Sequence, residues 1–444
     1  MKKFVILIAV FSIFLSFNGC THGFGVQSSD SVQEGITISK LNLFEDHYGG
    51  RHIVGEIRND TSFPVQSIDL EIAITDADRD TVLRNAEGKP IQEDIFHPFL
   101  NLLFPGESSG FDYSLSPQSN TAVSYQVIFS SAKKSTAEKA DVRIEHAHIQ
   151  KSMYGTSFLM GEVVNHGPQP ARVEGLGVTV LGYDGQILDT NDASNSGLFL
   201  APAKDPGGMD RISFSIPLHG SFGNDAPWEG FISAVVTEQK NIPTIHVLES
   251  HQYMDAFGFL HLVALIENGS SSPLSIPIVG SLLDKNGDVL DSVEGFLPVD
   301  VPPGSNAAID LVDWKVVNHN VSLQAMIRKT QIQIDSSHTS LSKLRYFQLI
   351  PSNIQESRAD QGVWIFRGRV NNFWSEAFRR IVVIVSIFSD DNHLIAINYQ
   401  WVRPLNPLIA MGRNAQFNLQ VSLDPTQDPS KYTYRIQAMA EAAW

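Results

Sequence analysis

Residues 55–59 read GEIRN, and the pattern returns as GEVVN at 161–165, ALIEN at 264–268 and GRVNN at 368–372. Each copy runs small, variable, apolar, variable, Asn, and the closing residues Asn59, Asn165, Asn268 and Asn372 are spaced by 106, 103 and 104 positions. Five residues alone are weak evidence of repetition, but the register persists downstream. A Leu follows each Asn at an offset of 24, 23, 22 and 22, as Leu83, Leu188, Leu290 and Leu394. Further on, Gly106, Gly207, Gly304 and Gly412 each precede an apolar residue five positions later, at Phe111, Ile212, Ile309 and Phe417. Three landmarks holding one period mark tandem units built on one plan.

Between the landmarks the apolar residues alternate, as in Ile68, Leu70, Ile72 and Ile74, or Val178 and Val180, which is the period of a strand with one buried face. The following turns, DADRD at 76–80, YDGQ at 183–186, DKNGD at 284–288 and SDDNH at 389–393, are rich in residues that tolerate left-handed backbone angles. Helical periodicity is absent beyond the amino-terminal segment. Short strands and frequent turns in units of this size predict an all-β protein of four tandem immunoglobulin-like β-sandwich domains, at 36–134, 141–240, 241–337 and 341–444. SAKKSTAEKAD at 131–141 is the clearest linker.

The chain opens MKKFVILIAVFSIFLSFNGC: Lys2 and Lys3 precede an uncharged apolar run from Phe4 to Phe17, broken only by Ser12 and Ser16. That is the layout of a signal peptide over 1–19, and it is shorter than the roughly 20 apolar residues a membrane span needs. Cys20 is the only cysteine, so no intramolecular disulfide can form and each unit must be held by core burial. Gly19 and Cys20 after the apolar run resemble the lipobox of bacterial lipoproteins, although Phe17 stands where Leu is usual and Asn18 where a small residue is usual. The resemblance implies that the signal is cut before Cys20, that its thiol and new amine are acylated, and that the protein is lipid-anchored to the cell membrane or outer membrane, facing periplasm or exterior. Several acyl chains, at about 0.8 kcal/mol per buried CH₂, would make such an anchor effectively permanent. The polar, Gly- and Ser-rich stretch over 20–35 reads as a flexible tether.

An apolar strand ending in Asn, an alternating strand closing on Asp-Gly, and a Pro-Gly turn before an aromatic strand together resemble FxLYD-type domains, small immunoglobulin-like sandwiches of bacterial extracytoplasmic proteins. Tyr183, Asp184 and Gly185, with Pro105 and Gly106, carry the resemblance best, whereas Ala264 replaces the Gly of the third unit and Met411 the Pro of the fourth. The resemblance implies fold and compartment and brings no catalytic residues or cofactor.

Hydrophobic residues at 43% and charged residues at 18% exclude a disordered acidic chain, and a net charge of −16 makes nucleic acid a poor partner. There is no Gly-rich phosphate loop of the Lys-Ser/Thr type. Asp76, Asp78, Asp80 and Glu87 have the spacing of a calcium loop, but Thr81 stands at the Gly position and no helices flank it, so a solvated acidic turn is the better reading. His146 and His148, two apart on an expected strand, share a face on which zinc could bind, with no third ligand nearby.

The fourth unit departs from the others. It holds four of the six Trp, Trp364, Trp374, Trp401 and Trp444, and its eleven Lys and Arg against eight Asp and Glu give it +3. In NNFWSEAFRR, Phe373, Trp374 and Phe378 stand beside Arg379 and Arg380, residue types enriched at binding hot spots. The expectation is a non-enzymatic binding or adhesion-type protein, contacting an envelope glycan or protein through this segment. The alternatives are a structural spacer without a ligand, then an envelope hydrolase.

Overall fold

The computed structural model describes residues 31–442 apart from 33, 47, 77, 84–90, 116–123, 194–197, 204–209, 239–243, 335–338, 342–345, 360, 361, 403–408, 427 and 428. The expected signal segment, Cys20, most of the tether and Glu87 lie outside the described residues. The fold is all-β, in antiparallel sheets, and no described helix is long and apolar enough to cross a membrane. Among the described residues the helical structure is a single α-turn at Val321–Gln324, capped by Asn320, and a 3-10 turn at Pro429–Lys431.

Each repeat contributes two sheets around a core. The first unit pairs a leading sheet of Ile36–Glu45, Arg51–Asn59 and Ser108–Leu115 with a trailing sheet built on Val65–Thr75 and Ser124–Lys134. Ile68, Leu70, Ile72 and Ile74 are fully buried between them with Ile53, Ile57 and Phe111, as the alternation requires. Equivalent leading sheets centre on Ser157–Asn165, Leu260–Asn268 and Val363–Asn371, and trailing sheets on Ala171–Leu181, Pro277–Leu283 and Phe378–Phe388. In the fourth unit the long strand Tyr346–Ala359 joins both sheets.

The repeated Asn is a buried clip. In every unit its Nδ2 donates to two carbonyls at 2.7 to 2.9 Å: Phe63 and Leu103, Gln169 and Ala201, Ser272 and Val301, Glu376 and Ile409. Its Oδ1 accepts the N–H two residues on, from Thr61, Gly167, Ser270 or Trp374. An amide alone supplies two donors and an acceptor at one place, and leaving those groups unpaired costs about 1–3 kcal/mol each. The Asn carbonyl in turn accepts the N–H of Gly106, Gly304 or Gly412, whose φ of +81°, +64° and +74° suits glycine. Gly207 lies outside the described residues.

In the first and fourth units the small residue four before the Asn makes room for the ring of its ladder partner, and in the second it makes room for Ala147 of the neighbouring strand. Gly55, Gly161 and Gly368 pair with Phe111, Phe214 and Phe417, whereas Ala264 pairs with the slimmer Ile309. A Cβ on Gly55 would lie 2.4 Å from the Phe111 ring.

Three expectations are corrected. Ser31–Val32 pairs with Lys133 and Ala132 and buries Val32, so the sheet begins within the expected tether rather than at Ile36. Leu188 is exposed, and Ile187 takes the buried place held elsewhere by Leu83, Leu290 and Leu394. His146 and His148 do lie on one strand, Val142–Lys151, but a bulge opposite Gly161, with His146 at a φ of +51°, interrupts the alternation that would align them.

The units stack face to face, each leading sheet lying on the trailing sheet of the next. At the first seam Gly110 faces Thr190 and Phe231, and Asn42 donates to the carbonyl of Ile187 at 2.7 Å. At the second, Phe158 and Met160 pack on Leu283, Val289 and Val316. At the third, Tyr253, Val263 and Val299 join the core of the fourth unit. The linker after the first unit is pinned rather than loose: Ala140 donates to the Ala234 carbonyl, and Val236 donates to that of Glu138. On the fourth unit the outer face of the leading sheet carries the exposed Arg367, Arg369, Gln416 and Asn418.

Candidate functional site

Two places in this stack break from simple packing. The first is the loop after Asn372. The clip fixes its path, since Asn372 holds the Trp374 N–H and the Glu376 carbonyl. Phe373 is 63% and Trp374 46% exposed. The Trp374 indole N–H donates to the Gln348 carbonyl at 3.0 Å, and its ring meets Phe347 edge-on, so the indole is held with one side open to solvent. The same two positions are Asp60 and Thr61, His166 and Gly167, and Gly269 and Ser270 in the other units.

Phe378 does not join this face. It opens the strand Phe378–Phe388, is fully buried and packs on Phe347, because the alternating strand turns its first side chain inward. Arg380 is exposed and lies 3.9 Å from Glu441. The Arg379 side chain is outside the described residues. Of the other tryptophans, Trp364 is core beneath Arg358, and Trp401 is 41% exposed on the strand Leu394–Val402.

The acidic turn is closed by its own first carboxylate. Asp76 Oδ1 accepts the N–H groups of Asp78 and Asp80, as Asp284 does for Asn286 and Asp288. His146 reaches across the second seam to within 3.5 Å of Asp288.

The second place is at the first seam, and reading the sequence missed it. His52 lies between Asp112, 2.9 Å from its Nδ1, and Asp46, 3.4 Å from its Nε2, with Phe44 stacked on the ring at 5.0 Å. From the second unit comes His219, its ring 4.6 Å from that of His52, its Nδ1 2.9 Å from the fully buried Asp189 and its Nε2 3.9 Å from Asp112. The bond to Asp112 raises the affinity of His52 for its proton against the opposing pull of burial, and the bond to Asp189 does the same for His219. Burial pushes Asp46 upward, but the N–H groups of Gly50 and Tyr48 and the His52 imidazole more than offset it and hold the carboxyl below its ordinary value.

His52 stands seven residues before its Asn and Asp46 six before His52, and the third unit repeats both offsets with His261 and Asp255. That shared spacing was the available signal. His219 and Asp189 carry no comparable mark, because their role depends on which sheet of the second unit covers the first.

No family model matches this sequence, and no curated protein matches it. Among solved structures, the native conformation of E. coli alpha-2-macroglobulin aligns at 10% identity and a TM-score of 0.13, over 94% of this chain and 28% of that one, and a likeness at that level carries no argument.

Proposed function

We propose that this chain is a non-enzymatic, lipid-anchored extracytoplasmic protein of bacterial type, attached through Cys20, whose four tandem FxLYD-like units hold a binding loop away from the membrane. The observation that carries the binding reading is the exposed pair Phe373 and Trp374, on the one clip loop of the four where both positions are aromatic. Rigid aromatic rings give contact area at low entropic cost, and they suit either sugar stacking or a protein partner. The partner class is an envelope glycan or envelope protein.

The spacer reading draws support from the pinned linker after the first unit, which suits units held at a fixed spacing. The two readings part in one assay. Full chain displayed on vesicles is incubated with purified cell-wall glycan and with envelope extract, beside Phe373→Ser/Trp374→Ser protein. Retention of a component by the unmodified chain, with at least a tenfold loss in the double variant, supports the binding loop. Retention by neither leaves the spacer, and equal retention by both removes this loop as the binding face.

A further inference from the structure

We propose that His52, Asp112 and His219 form a binding site for a divalent transition cation of the zinc class, which ties the first two units together across their seam. One ligand atom from each of these three residues lies within 4.8 Å of the other two. A tetrahedral ion with bonds of about 2.0–2.1 Å places neighbouring donors about 3.3 Å apart. The pairs here, 2.9 Å from His52 Nδ1 to Asp112 and 3.9 Å from His219 Nε2 to Asp112, bracket that spacing, and the two imidazoles would draw together around the ion from within 4.8 Å.

The surroundings match what a ligating imidazole needs. Such a ring usually donates its second N–H to a carboxylate, which sets its tautomer and its direction. Asp46 stands behind His52 at Nε2, and Asp189 behind His219 at Nδ1. Both carboxylates are themselves fixed: Asp46 accepts the N–H groups of Tyr48 and Gly50, and Asp189 accepts that of Gly220 at 2.9 Å. Phe44 stacked on His52 restricts the ring further. Thus each imidazole points one nitrogen at Asp112 while the other is occupied.

The donor set selects the ion. Two imidazoles and one carboxylate suit zinc, cobalt, nickel or copper, whereas calcium and magnesium prefer oxygen-only sites. Three protein donors leave a fourth position for water. The third unit is an internal control: His261 sits between Asp310 and Asp255 in the same way, but the next repeat presents no second imidazole at His261 among the described residues. In a chain whose only cysteine is Cys20, a metal bridge would do the stapling that disulfides do in other exported proteins.

The test is cobalt and zinc binding by tag-free full chain in detergent micelles, followed by visible absorption and by competition with a chromophoric chelator. The expected result is one Co²⁺ per chain with the intense visible bands of a four-coordinate nitrogen and oxygen site, displaced by Zn²⁺ and not by millimolar Ca²⁺. His219→Gln, on a half-exposed loop and so least disturbing to the fold, should remove the bands, and Asp189→Asn should weaken affinity about 10- to 100-fold. His261→Gln should leave both unchanged. No stoichiometric cobalt, or cobalt bands that survive His219→Gln, would overturn the site, as would equal loss in His261→Gln.

Discussion

The first and third seams start from the same residues and end as different chemistry. Each leading sheet offers a histidine seven positions before the repeat Asn, an Asp in the preceding turn, an Asp on the neighbouring strand and an aromatic ring stacked on the imidazole: His52, Asp46, Asp112 and Phe44 in one, His261, Asp255, Asp310 and Tyr253 in the other. Opposite the first stand His219 and Asp189. Opposite the third stand the Ile395 carbonyl, which His251 meets at 2.9 Å, and the Ser422 carbonyl, to which the Tyr253 hydroxyl donates at 3.0 Å. Burial lowers the proton affinity of His261, although the bond to Asp310 and the charges of Asp310 and Asp255 outweigh it. What a repeated residue does is therefore set by the sheet that covers it. In the second unit the same position is Phe158, which clusters with Leu283, Val289 and Val316 across its seam.

Substitution of the stacked aromatic should separate the two seams most. Tyr253 is buried, and Tyr253→Ala removes its ring and orphans a hydrogen bond, so urea unfolding should show a loss of about 3–5 kcal/mol. Phe44 is half-exposed, and Phe44→Ala should cost about 1–2 kcal/mol. Equal losses would break the contrast.

A smaller effect sharpens the comparison of Asp189 with its counterpart Asp291. Where Asp189 meets His219, Asp291 instead accepts the N–H groups of Val316, Val317 and Ser292, and burial pushes its carboxyl up to about 6. Its folded value lies above the unfolded value near 3.8, so its contribution favours folding most below about pH 4 and is lost as pH rises through 6. That loss is on the order of 3 kcal/mol. Unfolding midpoints between pH 4 and 7 should decline in the native chain and flatten in Asp291→Asn; a decline that survives the substitution assigns the slope to other groups.

The smallest effect belongs to the rim of the third seam. His393 is exposed and lies 3.1 Å from Glu249, and the bond to that carboxylate raises the imidazole's proton affinity. Exposed pairs are screened, so His393→Ala should leave the unfolding midpoint unchanged at physiological salt. A clear drop would mean that the rim, and not the Tyr253 core, holds this seam.

The sheets were legible in the sequence because their causes are local and repeated. Asn59, Asn165, Asn268 and Asn372 sit where an amide must satisfy three backbone groups, and Ile68 to Ile74 alternate because one face is buried. Ala264 in place of Gly was readable only with its ladder partner, since Ile309 leaves room that Phe111 does not. Phe378 was grouped with Phe373 and Trp374 by proximity, yet the strand begins at Phe378 and turns it inward. The first-seam cluster was hidden for a different reason: Asp112 and His219 meet through the stacking of whole units, and no local pattern encodes which sheets will touch.

Face-to-face stacking of the four units is the claim on which both seams depend, and small-angle X-ray scattering from the chain beginning at residue 21 tests it most directly. Eight sheets spaced by about 10 Å make a rod about 80 Å long, so the pair-distance distribution should fall to zero near about 100 Å and keep that limit from low to high salt. A distribution with a tail beyond about 150 Å, as separate sandwiches on loose linkers would give, would contradict it.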